Sequence, residues 1–134
     1  MKKLFVSVPM KGRTKENIKN SIEKMHQIAE LMFGEKLEVI DSYVEQGPPK
    51  DSREAIWYLG ESIKKMSEAD YFIGIDCVSF YNGCELETII AREYHIPSVN
   101  VDMHSCSFLA DAVELMYEHY NVEKKCNVTL TPVQ

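Results

Sequence analysis

The chain has 134 residues, of which 45% are hydrophobic and 27% charged, proportions that are ordinary for a folded protein and argue against disorder. This length fits a single domain over residues 1–134, without a separate substrate domain. The formal net charge of -6 argues against binding to a nucleic-acid polymer, because neutralising many phosphates requires a basic surface. A small phosphorylated ligand is not excluded, since one or two cations and some backbone amides are enough to bind it.

The four cysteines show neither a Cys-x-x-Cys pair nor a histidine cluster at zinc spacing, so neither a metal nor another cofactor is predicted. The apolar run near the N-terminus stops at Ser7 and Pro9, which favours a first strand over a signal peptide. No apolar stretch reaches the length of a membrane span. These features predict a cytoplasmic protein with reduced thiols and no membrane partner.

The first half of the chain alternates strand and helix patterns. Residues 4–8 are a short apolar run that predicts a buried strand ended by Pro9. Thr14 is the expected cap of the following helix, Gly34 is its expected end, and residues 37–40 form the second predicted strand. The helix positions expected to face the core recur at three- and four-residue steps: Ile18, Ile22, Met25, Ala29 and Met32.

Residues 41–53 contain the sequence Gly-Pro-Pro at 47–49, which excludes a regular helix there and predicts a loop. Asp51 and Glu54 have the spacing of a capping box and predict the start of a second helix. The expected core face of that helix is Ile56, Leu59, Ile63 and Met66. The continuous apolar run Tyr71–Ile75 predicts a third strand that is buried on both faces.

The second half continues the alternation. Asn82 and Gly83 are predicted to open a third helix, and residues 97–101 to form a fourth strand. The expected core positions are Leu86, Ile89, Ile90 and Tyr94 in the third helix and Leu109, Val113, Met116 and Tyr120 in a fourth. Residues 128–130 are a short final strand in this prediction, within a C-terminal tail over 121–134 that follows a core of about residues 3–120.

Strands that alternate with helices predict parallel βαβ units with right-handed crossovers. We therefore expect a single doubly wound α/β domain, flavodoxin-like or Rossmann-like, with four to five mostly parallel strands and helices on both faces. Ligands bind such folds at the carboxyl ends of the strands, where the strand order reverses. The segments after residues 8, 40, 75 and 101 are accordingly the candidate binding loops.

The segment from Asn82 to Glu87 is the most informative for chemistry. Gly83 permits a tight turn and a close backbone approach to a ligand. A carboxylate in the first turn of the helix lies at the positive end of the helix dipole, which keeps it ionised and nucleophilic. Such a group suits attack on the anomeric carbon of a sugar. The alternative is a solvated glutamate that the dipole alone favours.

Several motifs occur in the order and spacing of a known family. They are Val8-Pro9-Met10-Lys11-Gly12, which is similar to a Gly-Pro-Met-x-Gly loop, then Ser67-Glu68-Ala69-Asp70, the spacing Gly83, Glu87, Ala91, and Pro97. Together they resemble the nucleoside 2-deoxyribosyltransferase superfamily, in particular its small phage and bacterial relatives, over residues 4–101. The resemblance implies that Glu87 is the catalytic nucleophile. It also implies a homodimer or larger homo-oligomer.

Four positions depart from the family pattern. Phe5 replaces a tyrosine, Val8 a glycine, Ser62 an aspartate and Tyr81 an aspartate or serine, so several polar partners of the nucleophile are absent. Asp76, at the end of the third strand, is a candidate acid or base, although turn hydrogen bonds explain it equally.

The predicted site contains catalytic and ligand-binding residues. The catalytic residues are Glu87 and Asp76, and the ligand-binding residues are Ser7, Pro9, Met10, Gly12, Arg13, Trp57, Asn82, Gly83 and Cys84. Arg13 is the candidate phosphate ligand, with a solvated loop cation as the alternative. Trp57 is a candidate for stacking on a base, with packing as the alternative.

The predicted partner is a small-molecule nucleoside or nucleotide, and three hypotheses for the function remain open. The first is an enzyme that cleaves the N-glycosidic bond and transfers the sugar to another base or to water. The second is a non-catalytic protein of the same fold that binds or sequesters a nucleotide or an ADP-ribose-type signal. The third is an interaction protein whose pocket is vestigial.

Overall fold

The computed structural model describes residues 1–42, 44, 46–76 and 80–125, and only the backbone of residues 120–125. The elements are β1 (Lys2–Val6), α1 (Lys15–Phe33), β2 (Leu37–Val39), α2 (Glu54–Met66), β3 (Tyr71–Ile75), α3 (Asn82–Glu93), β4 (Ser98–Val101) and α4 (Ala110–Lys125). Two short 3-10 helices, Met103–Ser105 and Ser107–Leu109, precede α4. Within the described ranges, no helix has both the length and the apolarity that crossing a bilayer requires.

The four strands form one parallel sheet in the order β2-β1-β3-β4. This confirms the predicted single doubly wound α/β domain. Because β2 and β3 lie on opposite sides of β1, the strand order reverses between β1 and β3. In folds of this class the crevice at that reversal, beyond the carboxyl ends of the strands, is where ligands bind.

Both faces of the sheet are covered by helices. Alternate strand residues point to opposite faces, and Leu4 and Ile73 pack in a cluster with buried side chains of α1 and α4. The rings of Phe5 and Phe72 stack with their centroids 5.9 Å apart. They form a second cluster with side chains of α2 and α3. The helix α3 is thus placed on the sheet face opposite α1.

The predicted limits of α1 are confirmed, whereas its predicted core position Met32 is wrong, since that side chain is 63% exposed. The Thr14 side chain accepts a hydrogen bond of 3.1 Å from the backbone N–H of Asn17, and Gly34 ends the helix in the left-handed conformation at φ 74°. The predicted capping box at Asp51 is wrong. Asp51 is itself left-handed at φ 66°, and α2 is capped by the backbone of Arg53 without a side-chain bond.

The predicted core faces of α2 and α3 are wrong in part. In α2, Met66 is buried, whereas Ile56 is 64% and Ile63 38% exposed. In α3, Leu86, Ile89 and Tyr94 are exposed. The buried side chains of α3 are instead Cys84, Glu87 and Ala91, and Ile90 packs partly buried against the second cluster. Cys84 and Ala91 are small, which lets the helix approach the sheet closely while Leu86 and Ile89 point outward.

The last helix is longer than predicted. Leu109 and Met116 are buried as expected, with Ala112 between them. The helix continues to Lys125 and so includes the first residues of the predicted tail. The side chain of Tyr120 and the strand predicted at 128–130 lie outside what the structure describes.

Candidate functional site

A cavity of about 450 Å³ lies between the segments that follow β1 and β3, the two strands at which the sheet order reverses. Its walls are the loop after β1, the inner side of α2 and the first two turns of α3, with Phe5 and Val6 of β1 also lining it. The volume is in the range of small-molecule sites. The cavity therefore occupies the place where this fold class binds ligands.

Glu87 lines the cavity although it is only 8% exposed. The hydroxyl of Ser7, which is also buried, donates a hydrogen bond of 2.7 Å to Glu87 Oε1. Burial raises the pKa of the Glu87 carboxyl, and hydrogen bonds from the Ser7 and Ser62 hydroxyls act in the opposite direction. A carboxylate is costly to bury, and the Glu87 carboxyl has beside it the hydroxyl of Ser7, which follows β1, and that of Ser62 in α2.

The dipole argument for an ionised carboxylate does not apply to Glu87. The acidic residue in the first turn of α3 is Glu85, which is exposed. Glu87 lies in the second turn, beyond the range over which a helix terminus acts strongly. Its pKa is instead governed by burial, so the environment favours the protonated form more than the sequence suggested.

The charged groups of the cavity are few. Among the described residues that line it, Glu87 is the one carboxylic acid and Lys11 the one lysine or arginine. The Lys11 ammonium group lies 4.5 Å from the ring centroid of Phe80, a favourable cation–π distance. Ser62 of α2, which carries a hydroxyl, also lines the cavity.

Most of the predicted ligand residues meet at this cavity. The ones that line it are Pro9, Met10, Asn82, Gly83 and Cys84. Ser7 contacts Glu87 rather than the open space.

Four predicted residues are not in the lining of the cavity: Gly12, Arg13, Trp57 and Asp76. The Arg13 side chain is 0% exposed and pairs with Asp111, which leaves it unavailable as a phosphate ligand in this structure. Trp57 packs edge-on against Tyr58 at 5.1 Å between ring centroids. Asp76 is exposed at the end of β3, with its backbone N–H bonded to the Val101 carbonyl.

Part of the cavity lining was not predicted from the sequence. Tyr58 and Leu59 of α2 line the cavity, as does Phe80. The spacing of α2 had placed Leu59 in the core, and helical periodicity does not distinguish a core face from a cavity face. Tyr81 also lines the cavity, and burial raises its pKa to about 12. Its hydroxyl donates a hydrogen bond of 2.7 Å to the carbonyl of Ala112.

A comparison with protein-family models, with curated proteins and with solved structures finds no match to this chain. The fold and the site therefore define the class of protein by themselves. It is a doubly wound α/β domain with a cavity at the strand-order reversal and a buried glutamate facing that cavity.

Proposed function

We propose that the protein cleaves the N-glycosidic bond of a nucleoside or nucleotide, with Glu87 as the nucleophile. The observation that carries this proposal is the buried Glu87 carboxylate, hydrogen-bonded to Ser7 and facing a cavity of about 450 Å³. A buried ionisable group with a perturbed pKa in a cleft is a common feature of active sites. Hydrophobic and aromatic side chains form much of the remaining wall, which suits a planar base.

The reaction proceeds in two displacements. A Glu87 carboxylate oxygen attacks C1′ of the sugar, the C1′–N bond breaks, and the base leaves with that electron pair and takes a proton from solvent. Water or a second base then attacks C1′, the ester bond breaks, and Glu87 is released as a carboxylate while the attacking group loses a proton. The developing positive charge at C1′ is stabilised by the nearby negative charge.

The arrangement of α3 supports this proposal. Gly83 and Glu87 line the same cavity, and Ala91 follows on the same buried face with 0% exposure. This arrangement is expected if the spacing Gly83, Glu87, Ala91 presents a nucleophile here as it does in the nucleoside 2-deoxyribosyltransferase superfamily. The resemblance also predicts a homodimer or larger homo-oligomer, and light scattering after size-exclusion chromatography measures the oligomeric state directly.

The test is release of free base. The protein is incubated with a panel of deoxynucleosides and their 5′-monophosphates, and the base is measured by chromatography. Glu87→Ala and Glu87→Gln should abolish release, because neither provides a nucleophilic carboxylate. Glu85→Gln is the matched control, since Glu85 is an exposed glutamate on the same helix, and it should retain activity. Full activity in Glu87→Ala would remove this mechanism.

A second candidate is a non-catalytic protein that binds or sequesters a nucleotide or an ADP-ribose-type signal. It is favoured because Glu87 is the one carboxylic acid among the described residues that line the cavity, and because the family that the sequence resembles has an aspartate at the position of Ser62. This candidate predicts a ligand-induced rise in melting temperature without base release, and unchanged affinity in Glu87→Gln. Base release by the native chain excludes it.

A further inference from the structure

Arg13 is held by a dense set of hydrogen bonds rather than being free for a ligand. Its guanidinium donates to both carboxylate oxygens of Asp111, at 2.8 and 2.9 Å, and to the Pro9 carbonyl at 2.9 Å. It also donates to Ser21 Oγ at 2.7 Å and to the Phe108 carbonyl at 3.2 Å. The Arg13 side chain is fully buried, whereas that of Asp111 is 31% exposed, and a bidentate pair of this kind is geometrically specific. The arginine thus ties the loop after β1 to α1 and to the start of α4.

The loop that Arg13 holds forms one wall of the cavity. Residues 8–11 line the cavity, and the loop is closed by a hydrogen bond of 3.1 Å from the Arg13 backbone N–H to the Met10 carbonyl. The guanidinium bond to the Pro9 carbonyl fixes the same loop from behind. The position of this wall therefore depends on the Arg13–Asp111 pair.

The opposite wall is attached to the same turn of α4. Tyr81, at the start of α3, lines the cavity and donates its hydroxyl hydrogen to the carbonyl of Ala112. Ala112 is the residue after Asp111. Arg13 and Tyr81 are thus bonded to adjacent residues of α4, Asp111 and Ala112.

We propose that the first turn of α4 is a shared anchor for both walls of the cavity, and that Arg13, Asp111 and Tyr81 are positioning residues for the site around Glu87. Each acts on the ligand through the wall that it holds, and rigid support of this kind is what keeps a site in its working geometry. The effect on ligands rests on the proposed function, whereas the attachment of the two walls does not.

The experiment measures each wall separately in the full chain. Hydrogen–deuterium exchange is followed at the amides of residues 10–13 and 80–84, with Tyr71–Ile75 of β3 as the internal reference. Alkylation of Cys84 by iodoacetamide is mapped by mass spectrometry, because this buried thiol lines the cavity. The variants are Asp111→Asn, Arg13→Lys and Tyr81→Phe. Glu114→Gln, an exposed acid on the same helix, is the control.

Asp111→Asn should raise hydrogen exchange at residues 10–13 by about tenfold or more, because a charge-assisted hydrogen bond is lost. Arg13→Lys should raise exchange at the same residues by less. Tyr81→Phe should raise exchange at residues 80–84 and speed alkylation of Cys84. The β3 amides and the Glu114→Gln control should not change. The proposal would be overturned by unchanged hydrogen exchange at residues 80–84 in Tyr81→Phe and at residues 10–13 in Arg13→Lys. A rise in exchange that includes the β3 amides equally would also overturn it.

Ligand measurements separate this proposal from the proposed function. Where the native chain releases base, the three positioning variants should raise KM more than they lower kcat, because the nucleophile remains in place. If the native chain neither binds nor cleaves any member of the panel, the proposed function fails. The exchange and alkylation results still decide whether the first turn of α4 anchors the two walls.

Discussion

Ser7 and Glu87 lie 80 residues apart in the chain and are joined by a hydrogen bond of 2.7 Å between buried side chains. The serine follows β1 and the glutamate belongs to α3, so the bond connects the two segments that flank the strand-order reversal. An ionised carboxyl that is nearly removed from water depends on such donors. The hydrogen bond therefore fixes the orientation of the Glu87 carboxyl and lowers its pKa.

Replacing Ser7 with alanine removes the donor and leaves the carboxylate less satisfied. Because the Ser7 hydrogen bond lowers the pKa of Glu87, Ser7→Ala should raise that pKa further and shift the acid limb of the pH–rate profile to higher pH. The free energy of unfolding should fall by about 1–3 kcal/mol at neutral pH. Urea denaturation and pH-dependent kinetics measure the two effects. The control is Ser98→Ala, since the exposed Ser98 hydroxyl bonds to the Ile96 carbonyl. A Ser7→Ala profile identical to this control would contradict the prediction.

The raised pKa of Glu87 predicts a direction for the stability of the fold. The folded state holds the Glu87 proton to higher pH than the unfolded chain, whose carboxyl titrates near its ordinary value of 4.5. Stability should therefore fall as the pH rises from about 4.5 through the folded pKa, and stay at the lower level above it. Glu87→Gln removes this dependence. The measurement is the difference in unfolding free energy between Glu87→Gln and the native chain across that window.

That difference isolates Glu87 from the other shifted carboxyls. The pKa of Asp111 is lowered, chiefly by its hydrogen bonds with Arg13, so its contribution is lost as the pH falls through its folded pKa, below the ordinary 3.8. It is common to both proteins and cancels in the comparison. A stability difference that stays constant from pH 4.5 upward would show that the Glu87 carboxyl is not perturbed.

The order of the elements was predictable because local signals were strong and agreed with one another. The polar cap Thr14, the αL glycine Gly34 and the continuous apolar run of β3 each act within a few residues. The orientation of α3 was not predictable in the same way. Its sequence offers large aliphatic residues on one side and small ones on another, and packing against the sheet decides between them.

The candidate site was predictable to the extent that it depends on short motifs. Glu87, Gly83 and Pro9 were named from their spacing, and all three line the cavity. The role of Arg13 was not predictable, because its partner Asp111 lies 98 residues away and no local pattern indicates the pair. A buried cation has the same sequence signature as a free one, and only the tertiary fold distinguishes them.

The orientation of α3, with Leu86 outward and Ala91 buried, predicts contrasting effects of two substitutions. Leu86 is 43% exposed, whereas Ala91 is 0% exposed. Leu86→Gln should change the free energy of unfolding by within about 0.5 kcal/mol. Ala91→Leu adds three carbons to a packed contact near Phe72 and should cost about 1–3 kcal/mol. Urea denaturation of both variants checks the orientation of the helix, and the reverse order of costs would mean that the aliphatic face is the buried one.

Lys11 is the one lysine or arginine among the described residues that line the cavity, and Arg13 is paired with Asp111. If the ligand has a 5′-phosphate, Lys11→Met should weaken its binding by about tenfold, as expected for one charge-assisted hydrogen bond, and leave the unphosphorylated nucleoside unchanged. Lys11→Arg keeps the charge and the contact with Phe80, and serves as the matched control. Isothermal titration calorimetry with each nucleoside and its 5′-monophosphate, at low and moderate salt, gives the two affinities. Equal losses for both ligands would assign Lys11 to packing against Phe80, whereas a loss confined to the monophosphate, and reduced by added salt, would assign it to the phosphate.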